Sequence, residues 1–269
     1  MKLFTNKKKL REEIGKINNI SFVPTMGFLH KGHESIIKKS VKGSGKTLVS
    51  IFVNPKQFNS RKDLKSYPRN TKNDIKILKK LKIDYLYKPS YADIYKFKTK
   101  NKIYLDKFAK ELCGQFRKGH FKGVIDVVNR LLEITNPKRI LLGNKDFQQL
   151  YLIKKHIMKN KIKTQVFPCK TIRDKNFIAY SSRLKKLNHN EKTKLIKIIK
   201  VLKKYKKDLI LKKQIYNFSK IKKKIISIGA KNVDYIKLID LKTLKKPKKN
   251  KFNLFYAFYI GNVRLIDNF

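Results

Sequence analysis

The chain has 269 residues, of which 41% are hydrophobic, and 69 Lys+Arg against 18 Asp+Glu give a formal net charge of +51; it is too apolar to be disordered and long enough for one large or two modest cores. The lysines are spread through every segment, and no RGG, zinc-knuckle or aromatic-interleaved RNP pattern marks one face, so the charge reads as a solvated surface and no nucleic-acid partner is expected. Cys113 and Cys169 stand outside any C-x-x-C spacing and the longest apolar run, Leu254 to Ile260, cannot span a bilayer, so the expectation is a reduced, soluble, cytoplasmic protein without disulfide framework, membrane contact or protein-bound metal site.

The N-terminal residues carry charge on both sides of Leu10 and lack the continuous apolar stretch of a signal peptide. Ile20–Val23 reads as a short buried strand, Pro24 and Gly27 punctuate a turn, and Glu34–Val41 continues as a helix with His30 and His33 in its first turn. Gly43-Ser44-Gly45-Lys46-Thr47 looks like the end of a phosphate-binding Walker loop. It fails as one, because Ser40 stands where a glycine is required and the segment precedes a strand; a helix-to-strand turn is expected.

Further elements alternate: strand Leu48–Val53, helix Thr71–Leu81, strand Asp84–Tyr87, helix Val124–Thr135, strand Arg139–Leu142, helix Phe147–Lys159 and strand Thr164–Phe167. That order predicts an α/β fold with a doubly wound parallel sheet, whose ligands gather beyond the carboxyl ends of the strands. From about Asn188 the pattern turns to lysine-rich helices, Glu191–Tyr205 and Gln214–Ile228, and then to strands Val233–Ile239 and Phe252–Ile260 joined by the charged connection Lys242–Lys251. A second, smaller α+β domain is expected, with the boundary placed between residues 1–172 and 173–269.

Candidate chemistry sits at the strand ends. Pro24 to His33 outlines a phosphate site: unpaired N–H groups and the positive end of a helix dipole favour an anion, imidazoles can hydrogen-bond phosphate oxygens, and Gly32 has no Cβ to hold a nucleotide off. After the next strand come Asn54-Pro55-Lys56-Gln57-Phe58 and Tyr67-Pro68-Arg69, a polar cluster rich in amide groups. Leu112 to Val124, Gly143-Asn144-Lys145-Asp146-Phe147-Gln148-Gln149 and Tyr180-Ser181-Ser182-Arg183 follow. Taken singly these residues mean little. Lys145 is one of dozens of lysines, Asp146 suits a helix N-cap, and Ser181 and Ser182 suit a loop; their ordered co-occurrence carries the signal.

The set resembles the pantothenate synthetase (pantoate–β-alanine ligase) family of the HIGH-motif nucleotidyltransferase superfamily, from about Lys2 to the terminal Arg264-Leu265-Ile266-Asp267-Asn268. The resemblance implies a Rossmann-like first domain that binds nucleotide and pantoate, and a C-terminal lid. It implies an ATP-dependent, AMP-forming ligase in which pantoate becomes pantoyl-adenylate with loss of pyrophosphate and β-alanine then forms pantothenate. ATP with Mg2+ and a homodimer through the first domain are implied as well. It also implies that Met26, Gly27, Phe28, Leu29, His30, Lys31, Gly32 and His33 line the ATP site, with His33 as proton donor and His30 its companion on the phosphates. Gly143, Asn144, Lys145 and Asp146 would hold ATP at a second strand end, and Ile172 the adenine or ribose. Tyr180, Ser181, Ser182 and Arg183 would hold the β- and γ-phosphates, while Gln57 would contact pantoate and β-alanine and Gln149 pantoate. Arg117 and His120 are expected at the cavity rim. Lys31, Asn144 and Tyr180 depart from the family pattern, which has acids at the first two positions and Met or Leu at the third. Rival readings are another nucleotidyltransferase of the superfamily, with no reason to carry Asn54–Phe58 and Gly114–Val124, or a basic RNA-binding protein with an inactive nucleotide fold.

Overall fold

The computed structural model describes residues 1–211, 215–247 and 252–269. They divide into two compact units, Met1–Thr171 and Ile172–Phe269. The first is built on a six-stranded parallel sheet: β1 (Lys2–Phe4), β2 (Ile20–Thr25), β3 (Lys46–Ile51), β4 (Tyr85–Tyr87), β5 (Arg139–Gly143) and β6 (Gln165–Cys169), in the order β1-β4-β3-β2-β5-β6. The chain therefore winds from β2 through β3 to β4 and then crosses to β5 and β6 on the other side of β2. That reversal puts the switch point between β2 and β5, where open α/β sheets bind ligands.

Side chains alternate across the strands as their two-residue period requires. Val23, Val49, Ile51, Leu86 and Leu141 pack with Ile37 of helix α2 (Lys31–Val41) and Leu78 of helix α4 (Thr71–Lys80). Phe22, Leu48, Tyr87, Ile140 and Leu142 are buried at the alternate positions. Helix α7 (His120–Thr135) packs against α1 (Lys7–Ile14), α5 (Tyr91–Tyr95) and α8 (Phe147–Lys159). Two short helices, α3 (Arg61–Lys65) and α6 (Cys113–Phe116), lie in the connections.

The periodicity reading overlooked β1 and α1, which are too short and too charged to stand out. It also ran β3 through Val53. The strand ends at Ile51 because Asn54 caps a 3-10 turn at Pro55–Gln57, accepting from the Lys56 N–H at 3.2 Å. Gly43–Gly45 is the expected helix-to-strand turn, and Gly45 at φ 98° leaves no space for a Cβ beside the Asn19 carbonyl.

The second unit carries α9 (His189–Ile210), α10 (Phe218–Ile228) and an antiparallel sheet of β7 (Asn232–Ile239), β8 (Asn253–Ile260) and β9 (Val263–Asn268). Helix α9 starts two residues earlier than expected because Asn188 and Glu191 form a reciprocal capping box. The expected start of the second helix at Gln214 lies outside the described residues; Asn217 caps the helix that is described. The charged connection is described only as far as residue 247. Strand β9, not anticipated, contains the Arg264–Asn268 segment.

Arg173 anchors the start of this unit. Its side chain, 13% exposed, makes a forked ion pair with that of Asp267, 5% exposed, donates to the Asn268 carbonyl at 2.9 Å and lies over the Phe177 ring at 4.4 Å. The Tyr256 hydroxyl donates to the same carboxylate at 3.2 Å. Asp267→Ala would leave a buried guanidinium without its counter-ion, a loss of about 3–5 kcal/mol. Calorimetry should show a lower unfolding midpoint; an unchanged midpoint would contradict this role.

Candidate active site

The loop leaving β2 is built by sequence features that act in concert. The Thr25 hydroxyl donates to the Ser50 carbonyl at 2.8 Å and accepts from the Gly27 N–H at 3.1 Å, which bends the chain off the sheet. Gly27 takes φ 76°, and an added Cβ would sit 3.0 Å from both Asp74 Oδ2 and Ile51 Cγ2. Asp74, 1% exposed on α4, accepts from the N–H groups of Phe28 at 2.8 Å and Leu29 at 2.7 Å. Phe28, forced to φ 53°, is held there by that bond. Asp74 escaped the motif reading. The available signal was an acid four residues before the buried Leu78, on the helix's apolar face.

His30 is the N-cap of α2, its Nδ1 accepting from the Gly32 N–H at 3.2 Å, so the neutral ring carries its proton on Nε2. His33 follows one turn on, and the two rings stack with centroids 4.0 Å apart and planes at 27°. Both residues are half-buried, and His33 Nδ1 is enclosed without a hydrogen-bond partner among the described residues. Burial pushes His30 down to about 4, with the Lys145 ammonium lowering it further and Asp146 opposing. Burial, then His30, then Lys145 push His33 down to about 3. Both imidazoles are therefore neutral at pH 7.

Lys145 and Asp146 belong to a 3-10 turn, Asn144–Asp146, after β5, with Gly143 as its cap; their side chains pair at 3.2 Å. Since β2 and β5 are hydrogen-bonded neighbours, the two loops lie side by side at the switch point. The expected phosphate residues of the first unit are thus brought together: two neutral imidazoles, an ammonium and a helix N-terminus. Such a wall offers donors and positive potential to an anion. Lys31 and Asn144 are exposed beside it.

Gln57, 8% exposed, joins the same loop from the other side, its Nε2 donating to Met26 Sδ at 2.9 Å. Its carbonyl accepts from His120 Nδ1 at 2.7 Å and Arg117 Nη2 at 3.2 Å, so these two expected rim residues hold the backbone of Gln57. Gly123 is glycine because a Cβ there would lie 2.3 Å from the Lys56 carbonyl. Gln149, in the first turn of α8, is half-buried, and its side chain makes no hydrogen bond among the described residues. The neighbouring Gln148 is structural: it bonds the Cys113 N–H and the carbonyls of Phe108 and Glu111.

In the second unit Ile172 and Tyr180 are linked by a backbone hydrogen bond of 3.3 Å, and Ser181 caps the turn Ser182–Lys186, accepting from the Arg183 N–H at 3.3 Å. Ser182 is buried and Ile172, Tyr180, Ser181 and Arg183 are half-buried. Among the described residues no group of three or more His, Cys, Asp or Glu could hold a metal, and no helix is long and apolar enough to cross a membrane.

A doubly wound parallel sheet with an anion wall at its switch point defines a Rossmann-like nucleotide-binding enzyme. The pantoate-beta-alanine ligase family model matches residues 2–269, and the chain belongs to that family. It is 38% identical over 276 residues to a pantothenate synthetase of Endomicrobium trichonymphae, covering 100% of this chain and 97% of the relative. It is 39% identical over 256 residues to that of Sulfurihydrogenibium sp., covering 93% and 91%. A crystal structure of a Francisella tularensis pantoate-beta-alanine ligase, complexed with beta-gamma ATP and beta-alanine, superposes with TM-score 0.86 at 38% identity, covering 100% of this chain and 97% of that one. The chain is an ATP-binding ligase of pantothenate biosynthesis, condensing pantoate with β-alanine through pantoyl-adenylate. Neither rival reading is favoured.

The depressed histidines make stability pH-dependent. Below 6.5, the ordinary histidine value, the unfolded chain takes up protons that folded His30 and His33 refuse until about 4 and 3, so their contribution is full above 6.5 and lost as pH falls. Denaturant midpoints should fall between pH 7 and 4, less steeply in a His30→Gln/His33→Gln variant. An equally steep fall in that variant would refute the assignment.

Proposed function

We propose that the wall of His30, His33 and Lys145 grips the triphosphate of ATP while the pantoate carboxylate attacks the α-phosphorus. The bond to the β-phosphate breaks and pyrophosphate leaves; the neutral amine of β-alanine then attacks the acyl carbon and AMP leaves. No side-chain nucleophile is required, so rate comes from orientation and charge stabilisation. The observation that carries this reading is the stacked, neutral imidazole pair beside Lys145 at the switch point.

The family expectation of His33 as proton donor takes a specific form here. A ring depressed to about 3 holds no extra proton at neutral pH, so its contribution is an N–H hydrogen bond to a phosphate oxygen, growing stronger as charge develops. Bound phosphate negative charge raises the pKa of both rings. Met26–His33 and Gly143–Asp146 are proposed to line ATP, with Ile172 at the base or ribose and Tyr180, Ser181, Ser182 and Arg183 at the β- and γ-phosphates. Gln57 is assigned to pantoate and β-alanine, and Gln149 to pantoate.

Magnesium fits this donor set as an ion carried by the nucleotide. It favours substrate phosphates, waters and one or two carboxylates, and Asp146 beside Lys145 is the carboxylate that would face it. When bound it neutralises charge on the phosphate oxygens. The setting proposed is the cytoplasm, without nucleic acid.

Purified protein given ATP, magnesium, pantoate and β-alanine should release AMP only when both organic substrates are present. His33→Ala should cut adenylation on the order of a hundredfold or more, the about 3–4 kcal/mol typical of a charge-stabilising donor. AMP release independent of pantoate would overturn the reading.

The partner proposed is a second copy of the chain. Each copy carries +51, so repulsion opposes pairing and is screened by salt. Sedimentation should show a dimer that weakens at low ionic strength; a monomer at every salt concentration would exclude it.

A further inference from the structure

Behind Gln57 lies a chain of side-chain hydrogen bonds in which every donor and acceptor is decided. The Asn54 carboxamide, 1% exposed, makes its full complement of four. Its Oδ1 accepts from the Lys56 N–H at 3.2 Å and the Tyr95 hydroxyl at 2.8 Å. Its Nδ2 donates to the Gly123 carbonyl at 3.0 Å and to Gln57 Oε1 at 3.2 Å. A backbone N–H can only donate and a backbone carbonyl can only accept, so Asn54 cannot be turned round. The Gln57 amide cannot either: its oxygen faces Asn54 and its NH2 faces the Met26 thioether sulfur, a weak acceptor.

Tyr95 is held as firmly. Its ring is contacted by the Lys56 ammonium at 3.9 Å and the Arg130 guanidinium at 5.0 Å from its centroid. Both cations pair with Asp126, at 3.5 and 2.7 Å, and Arg130 also bonds the Ile94 and Phe97 carbonyls that flank Tyr95. Burial, reinforced by Asp126, raises the phenol well above its ordinary range, so it stays protonated.

We infer that Asn54, braced by Tyr95 as a positioning residue, locks the Gln57 amide so that Gln57 can read its ligand only as a hydrogen-bond donor to an oxygen, a carboxylate or hydroxyl oxygen of the acid substrates and never their N–H groups. This rests on the reading that Gln57 touches substrate. The weak sulfur acceptor is what an incoming oxygen would displace.

Steady-state kinetics of three variants test it. Gln57→Ala should raise KM for pantoate or β-alanine, which tests the reading beneath. Tyr95→Phe removes one of the two donors on Asn54 Oδ1 and loosens the carboxamide that holds the Gln57 oxygen; the same KM should rise about tenfold, the scale of one well-made hydrogen bond, with KM for ATP unchanged. Gln57→Glu keeps an acceptor toward Asn54 and puts an acceptor where the donor stood, so binding should be lost at least as fully as in the alanine variant. It reads the orientation independently of whether Tyr95→Phe folds. If Gln57→Ala weakens binding while Tyr95→Phe leaves KM untouched, or Gln57→Glu binds as tightly as the parent, the lock is disproved and the substrate contact survives. If Gln57→Ala changes neither KM, both fall together.

Discussion

The buried carboxylate of Asp74 fixes the one piece of backbone on which the site depends. By accepting two N–H groups from consecutive residues it holds Phe28 in a left-handed conformation and sets the path by which the chain enters α2. A charge this deep must be repaid by hydrogen bonds, and charge-assisted bonds to backbone are among the strong ones. The consequence is felt a few residues later. His30 is placed to cap the helix with Nδ1, His33 is stacked on it, and burial, reinforced by the nearby Lys145, keeps both rings neutral. A looser loop would let the imidazoles swing to water and recover their ordinary basicity, which would add charge where a neutral donor is wanted.

Scarcity of acids sharpens this constraint. The chain has 18 carboxylates against 69 lysines and arginines, and the ones that matter structurally are tied to particular groups. Asp126 holds Lys56 and Arg130, Asp267 holds Arg173, Asp234 holds Arg264, and Glu133 accepts from the Lys100 and Asn101 N–H groups. The excess lysines mostly stay on the surface, where screening makes each of little consequence to the fold. Lys145 differs because its side chain is only 19% exposed and acts on two half-buried imidazoles.

Much of the architecture could be read from periodicity, because β2, β3, β5 and the buried faces of α2, α4 and α7 are long or apolar enough to declare their period. Lys2–Phe4 and Lys7–Ile14 could not, since the strand is three residues long and the helix buries only Leu10 and Ile14 among charged neighbours. At the site, the histidine pair, Gln57 and Lys145 were legible as residue types at strand ends. What held them was not. Asp74 touches the loop across 45 residues of sequence and His120 reaches Gln57 across 63, and contacts of that span leave no local pattern. Gly123 shows the difference most clearly: in the sequence it belongs to a motif, and only the 2.3 Å approach to the Lys56 carbonyl shows what the glycine is for.

The two halves of the chemistry in the first unit share one stretch of chain. Met26 receives the Gln57 amide, Phe28 and Leu29 are fixed by Asp74, and His30 caps the helix that carries His33. The group proposed to hold an organic acid and the groups proposed to hold phosphates are therefore connected through five residues whose backbone has little freedom. Activating a carboxylate requires its oxygen and the α-phosphorus to meet at close range in line with the departing pyrophosphate, and misplacement of about 1 Å can cost a hundredfold in rate. Two independently mobile loops would have to find that geometry at each turnover. A single braced segment, with Asp74 at its centre and the Asn54–Tyr95 chain behind its amide partner, has most of that ordering entropy already removed when the protein folds.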